Sequence, residues 1–209
     1  MKTQIRNRAL LLLMALFFAL GVGSLSAGTL YDNGPVDGHT NNWDINHGNR
    51  VSDSFVLNEP LSNLQSVTFY SWMTLEVSVI TVDWSIGSSP FGNDLGHGTA
   101  GVTDTLLFIG DHGVVHEDTF SLPSIDAKAG TYWLTLENAQ ACGPFGCDSW
   151  VGWDQNSGLS QAFSNNTSNP ISSEAFSVGG SAPEPSSLVL FGSGILGLGG
   201  VLRKHLRVG

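Results

Sequence analysis

Several groups of side chains in this 209-residue chain have the types and spacing to do chemistry. His112 and His116, in GDHGVVHED, are four apart and share a face of either a strand or a helix. With Asp111 or Asp118 they could hold a zinc ion, although no HExxH pattern accompanies them and a solvated turn is the competing reading. Asp44, Asn46 and Asp53, with Gly48, Asn49, Asp32 and Asp37 close in sequence, offer oxygen ligands to a calcium ion. Hard cations take roughly six to eight oxygens. The segment lacks the terminal glutamate of an EF-hand, so a plain Asx-rich loop stands beside the calcium reading, and no other cofactor is expected. Trp150 and Trp153, three apart in WVGWDQN, would point to opposite faces of a strand. One of them would then be exposed beside Asp154 and Gln155, an aromatic and polar surface suited to stacking on a sugar ring and bonding its hydroxyls; burial of both through a bulge or a second sheet is the alternative. Cys142 and Cys147 enclose Gly-Pro-Phe-Gly, which is turn chemistry. In an exported protein this close pair reads as a disulfide that pins a hairpin tip locally.

Catalysis has no comparable support. No serine stands in a GxSxG elbow. Glu117 and Asp118 are adjacent, so on a strand they would face opposite sides and could not flank one scissile bond. The chain is therefore expected not to be an enzyme, with an exported hydrolase acting on polysaccharide or ester substrates as the rival.

The elements that must position these residues read as strands. Residues 51–57, 66–72, 75–86, 105–109, 114–122 and 130–136 are β-branched, aromatic or alternating, and 176–178 closes the series. Gly, Pro, Asn and Asp punctuate them, as in GSSPFGNDLGHG and DAKAG, and no window of similar length has a helical repeat. The expected fold is all-β: a single β-sandwich, jelly-roll or lectin-like, over residues 28–178, followed by a linker at 179–182.

The two ends differ from this middle. Residues 1–27 have a positive start (Lys2, Arg6, Arg8), an apolar run from Ala9 to Leu20, and then small residues, the build of a cleavable export signal. Near the other end Pro183-Glu184-Pro185 precedes an uncharged apolar stretch at about 186–202, close to the lower limit of about 17 residues for a membrane helix. Arg203, Lys204 and Arg207 in the basic tail 203–209 suit a cytoplasmic end. Between signal and tail, Arg50 and Lys128 stand against 17 acidic residues, a formal charge of −15 where the whole chain has −10. Such a surface repels nucleic acid and anionic lipid.

The tail, residues 183–209, resembles the PEP-CTERM sorting signal of Gram-negative bacteria in its Pro-Glu-Pro, its short Leu/Gly-rich span and its basic tip. The resemblance implies recognition by an exosortase, a membrane-embedded cysteine transpeptidase. It also implies a transient stay in the inner membrane and delivery to the cell surface or exopolysaccharide matrix. The two prolines would hold the backbone extended for the processing enzyme. His205 and Leu206 interrupt the usual arginine run. GTLYDNGP, VSDSFVL, VTFYSWM, VDWSIG, FSLPSIDAKAGTYWLTLENA, VGWDQNSG and SEAFSVGG are similar to a domain that recurs in front of such tails, one with no established activity. The expectation is a noncatalytic exported protein of the surface or matrix, in contact with exopolysaccharide.

Overall fold

The computed structural model describes residues 28–36, 41–109 and 113–182. The expected export signal, the apolar tail and the sorting residues Pro183, Glu184, Pro185, Arg203, Lys204 and Arg207 lie outside the described residues. So do Asp37, Asp111 and His112.

The described residues form twelve strands: β1 (Gly28–Asp32), β2 (Asn42–Asp44), β3 (Arg50–Leu57), β4 (Ser62–Met73), β5 (Ser78–Gly87), β6 (Gly96–Gly101), β7 (Thr103–Ile109), β8 (Val114–Ala127), β9 (Gly130–Cys142), β10 (Gly152–Asp154), β11 (Ala162–Ser164) and β12 (Phe176–Ser181). All pairings are antiparallel. One sheet is centred on β4. β8 lies along one edge of that strand and carries β7. The other edge is shared end to end by β12, which carries β1, and β10, which carries β2. The second sheet runs β11-β3-β9-β5-β6.

Alternation explains why two sheets face each other. Val67 and Phe69 of β4, Phe120 of β8, Trp153 of β10, and Phe176 and Val178 of β12 point inward from the first sheet. Val51, Phe55, Val82, Trp84, Ile86, Leu134 and Leu136 meet them from the second, all in one buried cluster. Aromatic pairs stitch the layers together. Phe55 meets Phe176 edge-on at 6.4 Å, and Trp84 stacks on Phe120 at 6.5 Å.

Each expected strand is present, most of them longer than the pattern suggested. β8 runs on to Ala127 because Pro123, which has no N–H to donate, sits in the bulge where the pairing with β4 slips between Leu64 and Ser66. The stretch GHGTAG, read as punctuation, is the edge strand β6. Gly96 and Gly98 there form a shallow trough under the Trp84 ring, whose atoms would lie 3.5–3.6 Å from a Cβ at either position. β6 continues through Val102 into β7, so one bent strand passes from the second sheet to the first and closes that side. The stretch read as a linker, 179–182, is strand as far as Ser181. Gly180 fits tightly there, since a Cβ would collide with the Asn63 carbonyl.

Trp153 is completely buried and touches Phe69 and Phe176, at 6.4 and 5.6 Å. Trp153→Ala should cost about 3–5 kcal/mol of stability, as large-to-small aromatic changes in cores do. Urea unfolding of the purified protein measures this, and an unchanged midpoint would contradict the packing.

Candidate functional site

The strand parity that buries apolar side chains also carries polar ones inward. Asp53 follows Val51 and precedes Phe55 at two-residue spacing, so its carboxyl points between the sheets and is fully buried. There it accepts hydrogen bonds from the Glu174 amide (2.7 Å), the Ser160 hydroxyl (2.8 Å) and the Ser54 amide (2.6 Å). Asn33, just after β1, donates to Ser160, Ser173 and the Glu174 carbonyl, and Asn156 donates back to the Asn33 carbonyl at 2.7 Å. Glu174 lies beside Gln155 and is wholly enclosed, yet neither of its carboxylate oxygens reaches hydrogen-bonding geometry with a described residue. Burial, reinforced by Asp53 and Asp154, pushes its pKa well above the carboxylate range. Burial likewise raises Asp53 to about 6, against the hydrogen bonds that favour its ionised form.

A second inward polar group lies on the opposite side of the core. His116 and Asp118 occupy β8 positions between Val114 and Phe120. His116 Nδ1 meets Asp104 Oδ1 at 2.7 Å, and Asp104 Oδ2 accepts from the Val79 amide of the facing sheet at 2.9 Å. The Ser71 hydroxyl donates to Asp118 at 2.5 Å. Burial raises Asp118 to about 8, Ser71 opposes the shift, and the neighbouring Asp104 adds to it. Serine, histidine and aspartates thus come together, but inside the molecule, where they tie β7, β8, β4 and β5 to one another.

The sugar platform expected at Trp150, Trp153, Asp154 and Gln155 is corrected. β10 covers only residues 152–154, so Trp150 precedes the strand and the parity argument does not reach it. Trp153 enters the core and its indole N–H bonds the Ala175 carbonyl at 3.0 Å. Asp154 is buried on the other face, where it accepts from the Trp72 indole. Trp150 is half-buried and its N–H is held by Asp44, and Gln155 is half-buried in the bridge to Glu174. Among the four, no exposed ring remains for stacking.

The oxygen ligands Asp44, Asn46 and Asp53 are not brought together either. Asp44 ends β2 in the first sheet and accepts from Asn49 and Trp150. Asn46 bonds the Ser149 carbonyl (2.8 Å), and Asp53 belongs to the second sheet. His116 and Asp118, the described members of the zinc reading, turn inward to Asp104 and Ser71.

The cysteine expectation is realised: Cys142 and Cys147 are joined. Between them Gly143 and Gly146 exchange backbone hydrogen bonds of 2.8 and 3.2 Å, making a tight four-residue turn with Phe145 fully exposed. Beside this tip is a cleft of about 210 Å³, bordered by Asn46, His47, Asn138, Gln140, Asp148 and Ser149. His47 Nε2 and Asp148 Oδ1 are 3.0 Å apart across it. His47 and Asn138 hold left-handed backbones (φ 55° and 49°), the first in a tight turn with Gly48 and the second where the β5–β9 pairing slips.

The three raised carboxyls set the pH dependence. Each holds in the folded state a proton that the unfolded chain releases near pH 4, so their contribution to stability is complete below that pH. It is lost as pH rises through about 6 for Asp53 and about 8 for Asp118. Tm should therefore fall between pH 5 and pH 8. Glu174→Gln, which mimics the neutral acid, should raise Tm at pH 8 and flatten the decline. A pH series of thermal melts checks both, and a wild-type Tm that rises toward pH 8 would be the contrary result.

No curated protein matches the chain. The last strand leads directly into a recognised segment, since the PEP-CTERM protein-sorting motif matches residues 181–204 and so begins on the final residue of β12. The described residues are all-β, and the chain carries a PEP-CTERM protein-sorting motif at residues 181–204, which implies export and sorting by an exosortase.

Proposed function

We propose that the two-sheet domain is a noncatalytic module displayed at the cell surface and delivered to the exopolysaccharide matrix, with the tail as a temporary membrane handle. The observation that carries this reading is the pairing of Gly28 with Gly180. β1 starts where the expected export signal ends, and β12 finishes at Ser181, two residues before Pro183. Both membrane-directed segments therefore leave the folded domain at one corner.

Register defines the opposite end. Ser181 pairs with Asn63 at the start of β4, and that strand climbs to Met73, about 30 Å away at the usual rise per residue. The four-residue connection to β5, the end of β9 at Cys142 and the end of β2 at Asp44 all cluster there. A domain held at the Gly28–Ser181 corner turns this far end outward. Cutting the chain beyond Ala182 leaves every ladder hydrogen bond of β12 intact, so removal of the tail need not disturb the fold.

Intact-mass spectrometry of protein recovered from the membrane and matrix fractions tests the reading. The expected matrix form starts near Gly28 and ends between Ser181 and Pro185. A single membrane-bound form retaining Arg207 and Gly209 would make the tail a permanent anchor and remove the matrix role.

A further inference from the structure

We propose that the far end of the domain binds neutral polysaccharide, with Phe145 as the stacking surface and the adjoining cleft supplying hydrogen bonds to the sugar hydroxyls. The inference rests on the surface-display reading and names the ligand class of the outward end.

The disulfide is the first support. A bridge between residues only five apart closes a small loop, and short loops have little closure entropy to remove from the unfolded chain. It also lies at the tip of β9, beyond the buried cluster. What it fixes is the position of Phe145, a fully exposed ring on a turn already held by the Gly143–Gly146 hydrogen bonds. With the turn backbone held in this way, binding need restrict only the rotamer freedom of the ring itself.

The chemistry of the cleft is the second. Its border is formed by side-chain amides (Asn46, Asn138, Gln140), a hydroxyl (Ser149), an imidazole (His47) and a carboxylate (Asp148). Asn46 is buried and spent on the Ser149 carbonyl and the Val151 amide, and the Asn138 amide nitrogen on Asp83, so the groups open to a ligand are Gln140, Ser149, His47 and Asp148. Beside an aromatic face they supply donors, acceptors and a stacking plane, which is what a pyranose ring presents in complement. The walls are set by backbone contacts: the Ala139 amide bonds the Ile45 carbonyl at 3.0 Å, and the Ile45 amide bonds the Val151 carbonyl at 3.1 Å. Charge selects among glycans. With a formal −15 on the domain and Asp148 exposed at the cleft, a uronate or sulfate polymer is repelled and a neutral one is not.

The test is affinity electrophoresis of the exported protein purified from its producing cells. The gels contain either the neutral fraction of those cells' exopolysaccharide or alginate as an anionic comparison. Wild type should be retarded by the neutral polymer and not by alginate. Phe145→Ala should weaken retardation at least tenfold with an unchanged Tm, and Asp148→Asn several-fold. Leu159→Ala, which removes another fully exposed apolar side chain, should behave as wild type. Full retention by Phe145→Ala overturns the proposal. So does equal loss in Leu159→Ala, stronger binding to alginate, or no retardation of wild type. A matrix-recovered, tail-free protein that ignores the neutral polymer would refute the glycan site alone. An unprocessed membrane form would refute the display reading beneath it.

Discussion

The whole arrangement depends on β4 having three partners. One edge is occupied along its length by β8, while the other is divided between β12 and β10. Because β12 and β10 lie end to end, the chain's last strand and a three-residue strand from the middle must meet. They do so through the hydrogen bond from the Ala175 amide to the Asp154 carbonyl at 2.7 Å. That junction draws in the loop around Asn156 and the turn holding Glu174, and it seats Trp153 in the core. A strand as short as β10 could not stand alone. It is kept by ladder bonds on both sides and by the burial of one large ring.

The carboxyl groups between the sheets follow from the same arrangement. Strand parity sends Asp53, His116 and Asp118 inward whatever their chemistry; Asp53 meets Ser160 from a loop, His116 meets Asp104 from the neighbouring strand β7, and Asp118 meets Ser71 of the central strand β4. These networks join elements far apart in sequence: Asn33 to Glu174 on one side, Asp104 to Val79 on the other. Buried polar groups are expensive unless satisfied, so they favour one register of the sheets over its neighbours. Glu174 is the exception, enclosed by packing with neither carboxylate oxygen in hydrogen-bonding geometry, and burial pushes its pKa upward.

The two ends of the domain have different characters for physical reasons. At one corner glycines allow β12 to lie tightly against β4 beside the first residues of β1, where the sorting motif begins. At the other, short turns, a disulfide and three left-handed residues, His47, Glu76 and Asn138, hold polar side chains and one aromatic ring in solvent.

The sequence by itself determined the all-β character, the strands with β-branched or alternating patterns, the close cysteine pair and the C-terminal sorting motif, because each is written in neighbouring residues. The inward course of Asp53, His116 and Asp118 was also legible, since they alternate with Val51, Val114, Phe55 and Phe120 on one strand face. The tertiary structure alone decided the rest. Glu174, Asn33 and Ser160 lie in loops with no periodicity, and only the meeting of β12 with β10 brings them to Asp53. Trp150 and Trp153 looked like a pair on one strand, but the strand begins between them, and its limits are set by the partners β4 and β2. GHGTAG is a strand because it pairs along its length with β5, where its glycines lie under the Trp84 ring, a pairing that no local pattern encodes. Local rules reach a few residues along the chain, whereas cross-strand pairing and packing act between residues up to 152 apart, as Gly28 and Gly180 are.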